Sequence, residues 1–254
     1  MKKTIKRIVA VLACLMMIAS LAACSKSGEK VYTIATDTTF APFEFTDSNG
    51  DFVGIDVDLI KAISEDQGFK YELKSLGFNA AVTALETSQA DAVIAGMSIT
   101  PVRKQAYNFT DPYYDSGIVM AVAANNTDIK SYADLQGKKV AVKTGTEGQE
   151  FANSIKDKYA FEIDVLENSA VMYEAVKTGT VVACFEDYPV MGYGISQGNG
   201  LKMVTEMEQG SSYGLAVMKD AGNDELIEMF NKGLANLKAN GKYQEILDKY
   251  IATK

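Results

Sequence analysis

The chain has 254 residues, 47% of them hydrophobic, with 25 basic against 33 acidic side chains and a formal charge of −8. That is enough apolar material for one large or two medium domains, and it excludes disordered, collagen-like and repeat architectures. Histidine is absent, which removes Ser-His-Asp and Cys-His catalysis and every His-containing metal site. So acidic a chain is also a poor match for nucleic acid, which rewards clustered Lys and Arg.

Lys2, Lys3, Lys6 and Arg7 precede an apolar stretch, residues 8–19, too short to span a membrane comfortably. Leu21, Ala22, Ala23 and Cys24 then resemble the bacterial lipobox. Residues 1–23 are therefore expected to be a cleaved signal peptide, Cys24 a lipidation site, and residues 24–29 the lipidated N-terminus and a polar tether. The alternative is an ordinary signal peptide with an incidental cysteine. Cleavage removes four basic residues and no acidic one, taking the formal charge from −8 to −12. With Cys14 in the leader and Cys24 acylated, Cys184 has no disulfide partner; its apolar surroundings suggest a buried structural thiol.

In chain order, residues 31–36 alternate and are rich in β formers, so they predict a strand. Asp37 and Phe40 follow in the loop at its carboxyl end. Phe43 to Phe45 and Phe52–Val53 flank Asp47-Ser48-Asn49-Gly50, which suggests a hairpin. Asp56 is the expected N-cap of a helix to about Gln67, with Val57, Ile60 and Ile63 on one stripe and Gly68 as its stop. A strand at 71–73, a helix opening at Gly77-Phe78-Asn79 and a strand at 92–95 complete a β-α-β-α-β order, which argues for a parallel sheet. Gly96, Ser98 and Arg103 lie beyond that third strand. Ligands of open α/β sheets bind there, and the arginine fork matches a carboxylate.

Residues 117–123 are extended, and 134–137 form a turn. A strand at 139–142 leads into Lys143 and Thr146, then a helix through Phe151 and Ile155. A strand near 161–166, a helix at 170–177 and a strand at 181–185 ending near Glu186 and Asp187 repeat the plan of residues 84–98. A strand at 214–218 precedes two helices, 224–237 and 243–251, that form a hairpin. Asp37, Phe40, Phe78, Gly96, Ser98, Arg103, Lys143, Thr146 and Asp187 thus gather at strand ends. Two aromatics, one arginine and an acid make a cage suited to a zwitterion.

These residues sit in motifs that closely resemble the bacterial extracellular solute-binding proteins for polar amino acids, family 3, nearest to the glutamine-binding lipoproteins of ABC importers. The motifs are T-D-T-T-F-A-P-F-E-F, G-I-D-V-D-L, G-F-N-A-A-V-T-A-L, A-G-M-S-I-T-P-V-R-K, F-T-D-P-Y-Y, V-A-V-K-T-G-T, E-D-Y-P-V and L-A-N-L-K-A-N-G-K-Y-Q-E-I-L-D-K-Y. The resemblance implies an α/β two-lobe periplasmic-binding-protein clamshell, each lobe a mainly parallel sheet flanked by helices. Residues 30–112 plus 214–254 would form lobe one and 118–211 lobe two, with a two-strand hinge at 113–117 and 212–213. It implies capture of a polar amino acid, glutamine favoured, for delivery to ABC permease subunits. The protein would be an extracytoplasmic monomer, lipid-anchored on the outer side of the cell membrane, with no cofactor, metal, nucleic acid or catalysis.

By the same resemblance Arg103 and the Ser98 N–H take the α-carboxylate. Asp187, the Ser98 hydroxyl and the Gly96 carbonyl take the ammonium, Phe40 and Phe78 sandwich the ligand, and Thr146 and its neighbours offer N–H groups. Asp37 and Lys143 face its side-chain end. Arginine suits Asp37 but meets Lys143, glutamate the reverse, and a carboxamide satisfies both; alternatively the two pair with each other across the cleft. Glu186, Glu147 and Val102 depart from the family pattern, and the extra acid leaves arginine, glutamate or cystine open. A dehydratase-like enzyme using Glu186 as general acid, and a sensory domain acting through a partner, are the competing functions.

Overall fold

The computed structural model describes residues 30–251; the leader and the Cys24 site lie outside the described residues. Two sheets organise the chain. The first has five strands in the order β5 (Lys70–Ser75), β1 (Val31–Thr36), β6 (Ala92–Val93), β14 (Ala216–Met218) and β7 (Tyr107–Phe109). β1 and β6 run parallel, with Ile34 opposite Ala92, whereas β14 is antiparallel to both β6 and β7. The second sheet runs β10 (Glu162–Leu166), β9 (Lys139–Lys143), β11 (Ala183–Asp187), β8 (Tyr114–Ala123) and β12 (Leu201–Met203), and β13 (Glu208–Tyr213) also pairs with β8. Its β10–β9–β11 part is parallel, while β8 is antiparallel to its partners. Each sheet therefore has a parallel core, built by helical crossovers, and antiparallel members where the chain arrives without one.

Helices cover both faces of each sheet, which lets the central strands be apolar throughout. On the first sheet, α1 (Ile55–Gln67), α6 (Asp224–Ala239) and α7 (Lys242–Ile251) bury Leu59, Ile63, Phe230, Leu234 and Ile246 against Ile34 and Val217. On its other face α2 (Phe78–Glu86) packs Ala81 and Leu85 against Ala35, Val93 and Ala216. On the second sheet, α3 (Glu147–Tyr159) sets Phe151 against Val140, Val142 and Phe185. α4 (Ser169–Lys177) and α5 (Tyr188–Ser196) set Met172, Val176 and Met191 against Ala141 and the buried Cys184. A three-stranded ribbon, β2 (Thr39–Phe40), β3 (Glu44–Thr46) and β4 (Phe52–Val53), carries Phe40.

The sheets are joined where β8 and β13 pair, Tyr114 opposite Tyr213 and Ser212 opposite Asp115. Phe43 and Tyr213 meet edge to face there, with ring centroids 4.9 Å apart, and Tyr114 packs beside them. Ser98 bridges to Tyr213, so the strand-end loop of the first sheet is stitched to this junction.

Asp56 does not cap α1 as expected. The cap position is Gly54, and no side chain caps that end. A Cβ at Gly54 would lie 2.0 Å from the Phe43 carbonyl oxygen, at φ 145°, so only glycine lets α1 begin this close to the ribbon. The Asp56 carboxyl instead turns inward, fully buried, and its Oδ2 accepts the Gly96 N–H at 2.8 Å and the Tyr113 hydroxyl at 2.8 Å. Glu44, equally buried, lies against it; both Glu44 oxygens and Asp56 Oδ1 lack any other hydrogen-bond partner. Burial pushes Glu44 well above the ordinary carboxylate range and Asp56 up to about 6. A proton held between the two carboxyls leaves the least uncompensated charge inside.

Both groups are raised in the folded state, so their contribution to stability is complete below the unfolded carboxylate range. It is lost as pH rises through about 6 and beyond. A shift of roughly two pH units corresponds to ~3 kcal/mol. Glu44→Gln supplies the donor without a titrating proton and is expected to lessen the fall in stability between pH 5 and 8, Asp187 still contributing its own; urea unfolding at both pH values checks this. A pH profile as steep as wild type would rule out the shared proton.

Candidate ligand site

The carboxyl ends of β1, β6, β9 and β11 point to one place, and the chemistry gathers there. A small, nearly filled cleft is lined by Phe40, Phe78, Ala95, Gly96, Ser98, Arg103, Lys143, Thr146, Glu147 and Asp187. The structure thus brings eight of the nine residues singled out from the sequence around one space. Asp37 is the exception and reaches the cavity wall only through Lys143. Ala95 and Glu147 complete the lining.

Arg103 opens a single 3-10 turn, Arg103–Gln105, beyond β6. Its guanidinium is buried; Nη1 donates to the Ser98 carbonyl at 2.9 Å and Nη2 to the Gly145 carbonyl at 3.0 Å. It also lies 5.4 Å from the Phe78 ring centroid. Burial lowers its pKa from the ordinary value, yet a guanidinium stays charged in proteins. Gly96, with φ +52°, leaves no room for a side chain: a Cβ would come within 2.4 Å of the Phe40 ring.

Lys143 ends β9, fully buried, and its ammonium meets Asp37 Oδ2 at 2.7 Å. The ammonium stands 4.1 Å from the centroid of Phe40 and 5.5 Å from that of Phe78. The rings expected to sandwich a ligand therefore face the protein's own cation, and Asp37 and Lys143 pair with each other. Burial pushes the Asp37 carboxyl up, but the ammonium, with the Thr38 and Thr39 N–H groups, outweighs it and leaves the pKa below the usual range. Burial pulls Lys143 down; Asp37 first and Glu186 next overcome this and raise it.

Thr146 caps α3, accepting the Gln149 N–H at 3.3 Å and donating to the Lys143 carbonyl at 2.7 Å. The first helical residue, Glu147, is buried, and its Oε2 accepts the Ser211 hydroxyl at 2.8 Å. Asp187, at the end of β11, accepts the Tyr213 hydroxyl at 2.6 Å, which in turn receives Ser116 at 3.0 Å. Burial and the neighbouring Glu186 push Asp187 up to about 8. Glu186 itself is filled: Oε2 accepts Ser169 at 2.7 Å and Tyr173 at 2.9 Å, and Oε1 accepts the Asp187 N–H at 3.0 Å. Tyr213 escaped the sequence reading as a site residue because it stands in none of the motifs. Glu147 carried a signal, an acid opening a helix directly after Lys143–Thr146.

The arrangement offers a cation and an acid on the lining of one small, aromatic-walled space. Residues 32–253 match the bacterial extracellular solute-binding proteins, family 3. An arginine-binding extracellular protein of Bacillus subtilis is 32% identical, over 89% of this chain and 88% of its own length. The second substrate-binding domain of Lactococcus lactis GlnP, in an open conformation, is 41% identical with a TM-score of 0.61, covering 90% of this chain and 98% of that one. An ancestral arginine-binding protein bound to glutamine is 37% identical with a TM-score of 0.79, covering 88% and 98%.

Lys143→Met leaves Asp37 buried without a counter-charge, which costs about 3–5 kcal/mol. Adding Asp37→Asn is expected to recover most of that loss in urea unfolding. Single effects that simply add would mean that the pair does not act as a unit.

Proposed function

Because the chain belongs to the bacterial extracellular solute-binding proteins, family 3, we propose that it captures a polar amino acid, glutamine in the first place, and delivers it to an ABC permease. The observation that carries this reading is the cavity's inventory: Arg103 for a carboxylate, Asp187 for an ammonium, and a wall of Phe40 and Phe78. The free Ser98 hydroxyl and the N–H groups that begin α3 complete the grip.

Residues 30–112 with 214–254 act as one lobe and 118–211 as the other, and the paired β8–β13 segment, at 113–117 and 212–213, as the hinge. Ligand contacts from both lobes favour the closed arrangement over the open one. The backbone is nearer to the glutamine-bound ancestral protein than to the open GlnP domain, which supports reading this structure as the closed form. Cys24 carries a lipid after removal of residues 1–23, holding the receptor on the outer face of the cell membrane.

Glutamine follows from the Lys143–Asp37 pair. Its neutral carboxamide offers an acceptor to the Lys143 ammonium without adding charge, whereas arginine brings a second cation beside Lys143 and glutamate competes with Asp37 for it. Arginine is the second reading, favoured by the Bacillus relative. An enzyme of the dehydratase kind needs an acid over the cavity. Glu186, the one named candidate, has both carboxylate oxygens engaged by its own neighbours, which supports transport over catalysis.

A thermal-shift screen against the twenty amino acids is expected to give the largest stabilisation with glutamine. Arg103→Ala is expected to lower affinity at least a hundredfold by calorimetry, the loss of a buried bidentate charge partner being worth ~3 kcal/mol. Stabilisation by arginine alone would replace glutamine as the ligand. Near-native affinity in Arg103→Ala would overturn the pocket assignment.

A further inference from the structure

Asp187 occupies the cap position of α5, yet its side chain makes no capping hydrogen bond. An acid there ordinarily accepts an N–H of the first turn. Pro189, at the second helical position, has already removed one such donor. The carboxyl turns instead to the Tyr213 hydroxyl, 2.6 Å from Oδ2, and lines the cavity. Tyr213 itself is wholly buried.

Both the direction of that hydroxyl and its place are fixed. Ser116 donates to the Tyr213 oxygen at 3.0 Å, which leaves the phenol's own proton for Asp187. Burial, with the nearby Asp187, keeps the phenol protonated, its pKa driven well above the ordinary value. The ring is wedged against Phe43 and Phe40, with centroids 4.9 Å and 6.3 Å away. The main chain around Tyr213 is bound to the strand-end loop of the first sheet, where Ser98 bridges to it. The Ile99 N–H donates to the Ser212 carbonyl at 2.8 Å, and the Gly214 N–H to the Met97 carbonyl at 3.1 Å. One residue therefore holds the loop of Gly96 and Ser98 by its main chain, and Asp187 of the second sheet by its side chain. Those are the groups that the amino-acid reading assigns to the ligand's ammonium. These are contacts of the closed form, the one in which a ligand is held.

We propose that Tyr213 is a positioning residue for amino-acid recognition, its hydroxyl aiming the Asp187 carboxylate at the ammonium site that Gly96 and Ser98 complete from the other sheet. The inference rests on the amino-acid-binding reading above and deepens it, by naming what assembles the ammonium half of that site. An ammonium beside Asp187 favours the carboxylate, which then accepts from Tyr213 and from the ligand together. A hydrogen bond to a charged group is worth more than a neutral one. An acceptor already aimed also spares the ordering cost at the moment of binding. Without the hydroxyl, the carboxyl is free to swing back toward the first-turn N–H groups of α5, away from the ligand.

The test is calorimetry of the full chain with two probes: glutamine, and glutaramate, which keeps the carboxylate and carboxamide but lacks the α-amino group. Tyr213→Phe retains the ring and its packing. It is expected to bind glutamine about tenfold more weakly and to lose the same factor in preference for glutamine over glutaramate. Ser116→Ala, which lets the hydroxyl turn, is expected to change the preference in the same direction by less. Unchanged glutamine affinity in Tyr213→Phe overturns the proposal. So does equal weakening toward both probes, the result expected if the residue served packing alone. Should Tyr213→Phe not fold, a preference unchanged in Ser116→Ala overturns it. Wild-type protein that does not bind glutamine sinks the underlying reading instead, and this proposal with it.

Discussion

One carboxylate oxygen, Asp56 Oδ2, holds the first sheet in register with everything beside it. It receives the Gly96 N–H and the Tyr113 hydroxyl together, and Glu44 presses on the same group from the ribbon that carries Phe40. A cavity-lining backbone turn, the residue leading into the connecting strand and one aromatic wall are thus referred to a single buried point. Such a network is stable only when its members are satisfied. The orientation of Gly96, at a φ few residues adopt, and the packing of Phe40 over it follow from that constraint.

A second layer of electrostatics lies on top. Lys143 and Asp37 neutralise each other between the aromatic rings, while Arg103 is spread over two carbonyls rather than a carboxylate. The cavity therefore separates its charges by function. One pair is closed on itself, and one cation is held by weak acceptors that a carboxylate can outcompete. The acids Glu147, Glu186 and Asp187 form no ion pair among the described residues, although Arg103 and Lys143 lie close enough to act on them. Geometry makes the space small, and its charges are unequally committed.

Much of this was legible in the residues. Alternation at Val31–Thr36, the stripe of Ile60 and Ile63, and the strand–loop junctions before Lys143 and Asp187 report local patterns that survive folding. Less legible were elements whose identity depends on distant partners. α5 contains Gly192 and Gly194, poor helix formers, and is held by Met191 packing beneath the second sheet. β7 exists because β14 pairs with it from more than a hundred residues away. Asp56 looked like a cap because acids favour helix starts, and nothing local tells a capping acid from one turned into the core. Whether Lys143 and Asp37 pair or face a ligand was likewise a question of distance, which spacing in sequence does not contain.

The position of β14 has a consequence for how such a chain is made. It lies between β6 and β7, so those two strands have no hydrogen-bonded neighbour on one side until residues 216–218 arrive. The second sheet, by contrast, draws all its strands from the contiguous stretch 114–213. During synthesis the amino-terminal strands of this sheet emerge without the one that links β6 to β7, and β7 has no sheet to join until it arrives. Residues 216–218 seal it, so this sheet is completed only after the segment that forms the second sheet.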